Sequence, residues 1–174
     1  MQNRTLRQLT AAGVIAAAYA ALSLVLATIT FGPVQCRISE ALTLLPVISP
    51  AAIWGVTLGC AVTNGVGAAT GTNFLGLVDL PVGTAAPLLA AVATRLLGKI
   101  RFGGLPWLSA LPPILFNAVA IGGEWCYAMT GSINGAFWVF AGQIALGQLP
   151  PCLLGVWLVG LLERRSLQTI IEGK

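Results

Sequence analysis

The chain has 174 residues, of which 57% are hydrophobic and 8% charged, against roughly 45–50% and about 25% in soluble domains. With a mean hydropathy of +0.90, it has too few polar residues to cover a soluble surface, which excludes a soluble enzyme, a disordered tail and a secreted disulfide scaffold. The net charge of +4 comes without a basic stripe interleaved with aromatics and carries no sign of nucleic-acid binding.

Six apolar segments follow along the chain. The first covers about residues 9–31 and stops at Gly32-Pro33; its length of roughly 34 Å suffices for the ~30 Å hydrocarbon core. Arg4 and Arg7 before it resemble the start of a signal peptide. The apolar run outlasts an h-region of about 7–15 residues, so an uncleaved helix is expected. The second, about 39–48, is expected to be capped by Ser39 and punctuated by Pro46 and Pro50. It is too short to cross alone. Irregular backbone at membrane depth is tolerated only when buried in protein or lining a cavity, so this segment points weakly to a binding site.

The third segment, about 51–69, ends in the Gly/Thr/Asn stretch 70–76. The fourth covers about 80–97, the fifth about 105–129 and the sixth about 135–162. Pro112-Pro113 and Pro150-Pro151 are expected to kink the last two. With the N-terminus inside, the cytoplasmic loops hold Arg4, Arg7, Arg95, Lys99, Arg101, Arg164, Arg165 and Lys174, and the outer side only Arg37. The positive-inside rule then predicts an all-α membrane protein of one domain, residues 1–174, with six transmembrane helices, the second short, and both termini cytoplasmic.

That orientation assigns a depth to each polar residue. Arg37 and Glu40 fall at the outer mouth of the second helix, and Asn64 in the outer third of the third. Asn73 lies in the outer loop, and Asp79 at the start of the fourth helix. Asn117 and Glu124, seven apart, share a face of the fifth. Gln143 lies in the outer third of the sixth, with Gln148 near its middle. An ionisable residue at membrane depth marks a functional site by default, while each asparagine or glutamine also reads as an interhelical hydrogen bond. Three acids face one base, and which acid Arg37 meets is open. Such a cavity suits a neutral or cationic solute rich in donors. Trp125, Tyr127 and Trp138 offer faces for a flat ring or belong to an interfacial belt.

The inner halves lack polar residues, so the chain reads as a capture module that needs a partner for movement and energy. Ala12, Ala16 and Ala20, beside the parallel row Gly13, Ala17 and Ala21, form a small-residue face for that partner or for packing within the chain. Histidine is absent, and the four cysteines, Cys36, Cys60, Cys126 and Cys152, are scattered. No nucleophile pair, metal site or cofactor motif follows from them, and no enzyme activity is expected. A membrane-embedded enzyme is the distant alternative.

Two stretches, 32–46 (GPVQCRISEALTLLP) and 76–84 (GLVDLPVGT), together with the overall size, resemble the QueT family of substrate-binding (S) components of energy-coupling-factor transporters. The resemblance implies docking through Ala12, Ala16 and Ala20 on a transmembrane coupling (T) component that works with two cytoplasmic ATPases. It also implies a queuosine precursor as ligand, such as the aminomethyl form of 7-deazaguanine. On that reading Glu124 or Glu40 meets the guanine-like edge and Asp79 or another acid the ammonium. Asn64, Asn117 and Gln143 orient the ligand, and Trp125 or Trp138 stacks on it. Another vitamin of the riboflavin, thiamine or biotin class is the nearer alternative.

Overall fold

The computed structural model describes residues 2–32 and 34–164, leaving Pro33, Arg165, Glu172 and Lys174 outside the described residues. Helix α1 covers Gln2–Val25 and is followed by the short α2, Ala27–Thr30. A 3₁₀ segment, Ile38–Val47, leads to α3, Ala51–Thr70. One 3₁₀ turn, Gly76–Val78, opens α4, Asp79–Leu97. A second, Trp107–Ala110, precedes α5, Leu111–Thr130, and α6 covers Phe137–Arg164.

Among the described residues, four helical stretches are long and apolar enough to cross a membrane: Asn3–Val25, Ala51–Thr70, Gly76–Leu97 and Phe137–Arg164. Helix α5 has the length of α3, 20 residues, but Pro112, Pro113, Asn117 and Glu124 dilute its apolarity. Outward positions carry Val14 on α1, Trp54 and Leu58 on α3, Leu96 on α4, Val119 on α5 and Trp157 on α6, all more than half exposed. An apolar coat of this kind is disfavoured in water and at home in lipid.

Two local expectations are corrected. Pro112-Pro113 do not kink the fifth helix. They sit in the first turn of α5, where a missing N–H costs no helical bond. Ser39 does not cap the second segment: Arg37 holds the cap position without a side-chain bond, and the Ser39 hydroxyl lies 2.6 Å from that of Ser23. The second segment itself is a ten-residue 3₁₀ helix, far beyond the usual 3–4 residues, and such stretches often mark functional hinges.

The long helices pack in chain order, α1 on α3, α3 on α4, α4 on α5 and α5 on α6, while the 3₁₀ segment touches α1, α3, α4 and α6. It is thus buried in protein, as irregular backbone at membrane depth requires. Two glycines on one face of α6 admit the segment and the chain that leads into it. A Cβ at Gly147 would collide with the Val34 carbonyl, and one at Gly155 would lie 2.5 Å from that of Ala41. Below, Leu44, Leu45, Ile48, Val56, Ala91, Ile114, Cys152, Val156 and Val159 form the apolar core. The polar residues collect above it.

Candidate functional site

With three residues per 3₁₀ turn, Arg37, Glu40 and Thr43 line up on one edge of the segment. The chain reaches this edge through Gln35, which is buried and held at φ +46, a conformation that costs a non-glycine residue about 1–3 kcal/mol. Arg37 is 5% exposed. Its Nη1 donates to Cys60 Sγ at 3.3 Å and its Nη2 to Asn64 Oδ1 at 3.3 Å. The guanidinium lies 5.5 Å from the centre of the Phe31 ring, close enough for a cation–π contact. Among the described residues no carboxylate pairs with it directly, although Glu40 and Asp79 are near enough to act on its charge.

Glu40, 1% exposed, accepts a 2.6 Å hydrogen bond from Tyr19 at Oε1, and the Asn117 side chain approaches the same carboxyl from α5. Asp79 is fully buried at the start of α4. Asn73 Nδ2 donates to its Oδ2 at 2.7 Å, and Asn64 Nδ2 to its backbone carbonyl at 3.3 Å. Gly83, one helical turn on, leaves the space these groups need: a Cβ there would collide with Asp79 Oδ1 and lie 2.6 Å from Asn64 Nδ2. Cys60 donates to the Gly83 carbonyl at 3.1 Å. Glu124 reaches in from α5 to face Asp79.

Not every polar atom in this cluster is satisfied. Glu40 Oε2, Asp79 Oδ1 and both carboxyl oxygens of Glu124 are buried without a hydrogen-bond partner, as are the donors Arg37 Nε and, next to Glu124 on α5, Trp125 Nε1. Each such group ordinarily costs about 1–3 kcal/mol, and native proteins keep few of them without a reason. Two carboxylates that face each other, as Asp79 and Glu124 do, also repel unless a proton or cation lies between them. Acceptors outnumber donors, and acids outnumber the one base.

The structure therefore brings together Arg37, Glu40, Asn64, Asn73, Asp79, Asn117 and Glu124, which the sequence spreads over 88 positions, while Trp125 follows Glu124 on α5 and stacks on Phe74. Two candidates fall elsewhere. Trp138 is 76% exposed and meets Phe137 edge-on at 5.1 Å, because its position on α6 faces away from α5. Gln143 is half-buried and bonds to none of these residues. Trp125 lies near-parallel to Phe74 and Phe140 at 5.3 and 6.4 Å, so its ring already has stacking partners and its free group is the indole N–H. Sequence reasoning missed Tyr19, whose hydroxyl bonds to Glu40.

The alanine row of α1 is turned inward. Ala12 and Ala20 are buried, and Ala16 is half-buried. Gly55 and Gly59 on α3 receive them: a Cβ at Gly55 would lie 2.9 Å from the Ala12 carbonyl, and one at Gly59 the same distance from that of Ala16. This row packs within the chain, and the parallel row Gly13, Ala17 and Ala21 is the exposed one.

A family model described as QueT transporter matches residues 9–164, and the chain belongs to that family. It is a multi-pass membrane protein of a transporter family, not of an enzyme family. No curated protein and no solved structure matches it.

Proposed function

We propose that this member of the QueT family is the substrate-capturing component of an energy-coupled importer, and that its ligand is a cationic 7-deazaguanine, the aminomethyl form or a close relative. The surplus of unpartnered buried acceptors over donors carries this reading. A guanine-like ring presents two adjacent N–H donors beside one carbonyl, and the aminomethyl arm adds an ammonium. The facing carboxyls of Asp79 and Glu124 suit the ammonium. The unpartnered Glu40 Oε2 suits an N–H of the ring edge, and the Arg37 Nε its carbonyl.

Six crossings, cytoplasmic termini and an outward-facing site complete the proposal, supported by the asymmetry of lysine and arginine in the loops. A transmembrane coupling component with two ATPases supplies movement and energy. Its contact on α1 is the exposed row Gly13, Ala17 and Ala21, since Ala12 and Ala20 are occupied within the chain.

Mass spectrometry of the solute that copurifies with the protein, followed by calorimetric titration with the aminomethyl deazaguanine, tests the ligand. Saturable 1:1 binding is expected. Copurification of riboflavin, thiamine or biotin, with no response to the deazaguanine, would overturn it.

A further inference from the structure

Helix α1 reaches the polar cluster at two points. The Tyr19 hydroxyl donates to Glu40 Oε1 at 2.6 Å, and one turn later Ser23 Oγ lies 2.6 Å from Ser39 Oγ. Both contacts end on the first turn of the 3₁₀ segment. Ser23 is held in turn, since its carbonyl accepts from Thr30 Oγ1 at 2.9 Å. Tyr19 is completely buried, and it packs closely on α3. Gly59 is the only residue type that fits beneath it, because a Cβ there would lie 2.7 Å from Tyr19 Cβ.

A carboxyl at the end of a flexible chain can turn and exchange its two oxygens. In Glu40 Oε1 is taken by the Tyr19 phenol at 2.6 Å, the Asn117 side chain approaches the carboxyl from α5, and Oε2 is buried without a hydrogen-bond partner. Three residues earlier on the same edge, Arg37 Nε is also buried and unpartnered. The segment thus offers one free acceptor and one free donor on one edge. We infer that Tyr19 is a positioning residue for the binding site: its hydroxyl fixes the Glu40 carboxyl so that Oε2 is the oxygen presented to the ligand. The identity of that ligand rests on the function proposed above. The fixing of Glu40 does not.

Tyr19→Phe keeps the whole buried ring and removes one oxygen. It should be compared with Glu40→Gln, with the double variant, and with Ser23→Ala, which breaks the neighbouring contact without touching Glu40. Titrations of the purified full chain should use two probes, the aminomethyl deazaguanine and its neutral nitrile analogue, which share the ring edge. Tyr19→Phe should weaken both by about 10-fold, the scale of a charge-assisted hydrogen bond. In the Glu40→Gln background it should change affinity by less than about twofold, because coupled residues do not contribute independently. Ser23→Ala should bind as wild type does. Wild-type affinity in Tyr19→Phe, losses that multiply in the double variant, or an equal loss in Ser23→Ala would each overturn the assignment.

The unliganded proteins give a separate readout. Tyr19→Phe should lower Tm more in the wild-type background than in Glu40→Gln, because a charged acceptor holds the phenol more strongly than a neutral one. Equal Tm losses in the two backgrounds would overturn the positioning role even if wild type binds neither probe. Absence of binding by wild type defeats the ligand reading alone.

Discussion

Arg101 and Arg37 place the same guanidinium in opposite surroundings. Arg101, in the loop between α4 and α5, donates through Nη1 to Glu163 Oε2 at 2.7 Å and through Nη2 to Oε1 at 2.8 Å, while its Nε donates to the Gly98 carbonyl at 2.9 Å. Every nitrogen has an acceptor. Arg37 is buried, donates to a thiol and an amide at 3.3 Å each, and leaves Nε with nothing. The fork near water is fully matched by a carboxylate fork, whereas the one in the core, with Glu40 and Asp79 close by, is matched by neutral groups. A matched pair joins two pieces of chain. An unmatched buried charge among surplus acceptors leaves binding capacity for something else.

The largest expected effect separates the two arginines by side of the membrane. Reporter fusions after Gly71 and after Gly131 should read outside, and one after Arg101 inside. This is an all-or-none result. A cytoplasmic signal at Gly131 would overturn the depth assignments on which this comparison rests.

Next in size is Gly83→Ala. Gly83 lies within α4, where alanine favours the helix, so any harm comes from the Cβ meeting Asp79 and Asn64. Overpacking costs about 1–3 kcal/mol, and displacing Asp79 should also abolish measurable binding. Thermal unfolding and calorimetry on one preparation check both. A variant as stable as wild type with full affinity would show that the Asp79 cluster is less tightly packed around Arg37 than this comparison requires.

Glu124→Gln acts on the surplus itself. It keeps the size of the side chain and turns one unpartnered acceptor into a donor facing Asp79. Affinity for the aminomethyl deazaguanine should fall by at least ~10-fold, since charge-assisted hydrogen bonds contribute about 1.5–3 kcal/mol. The unliganded protein should be as stable or more so, because one of two facing carboxylates has been neutralised. Unchanged affinity with a less stable protein would make Glu124 a structural group.

The sequence made much of this legible, for identifiable reasons. The long helices follow from apolar runs that only Pro, Gly and polar clusters interrupt. Charged and amide residues at membrane depth are costly wherever they sit, so Arg37, Glu40, Asp79 and Asn117 could be singled out without knowing their neighbours. Winding and facing were harder to read. Nothing in residues 38–47 separates a 3₁₀ from an α-helix, since a short apolar stretch carrying Ser39, Glu40 and Thr43 suits either. Small residues at every fourth position of α1 announce close packing but not the partner. The matching pair Gly55 and Gly59, with the same spacing, was the signal that α3 is that partner. Trp138 and Trp125 have the same chemistry, and only the rotation of α6 and α5 separates them. Tyr19 escaped notice because a single tyrosine among alanines reads as part of an apolar face, and its significance depends on Glu40, 21 residues away.

The smallest expected effect is at Arg101 and Glu163. The pair is bidentate but partly open to water, where ion pairs contribute about 0–1 kcal/mol. Glu163→Gln should therefore lower Tm only slightly. Arg101→Gln should cost somewhat more, because it also removes the bonds to the Gly98 and Gly104 carbonyls that brace the loop itself. Raising the salt concentration should shrink the difference between wild type and Glu163→Gln, since exposed charges are screened over about 8–10 Å near physiological ionic strength. The hydrogen bond from Arg101 to Glu163 pushes the guanidinium above its ordinary range. For a base raised on folding, the stabilisation is fully present below the unfolded-state value and is lost only as pH rises through the folded-state one. Both lie far above neutrality, so the Arg101 side adds no slope to stability between about pH 6 and 9. Ligand affinity should be unchanged in both variants. A tenfold loss in either would mean that Arg101, like Arg37, acts on the site, and the contrast between the matched and the unmatched arginine would fail.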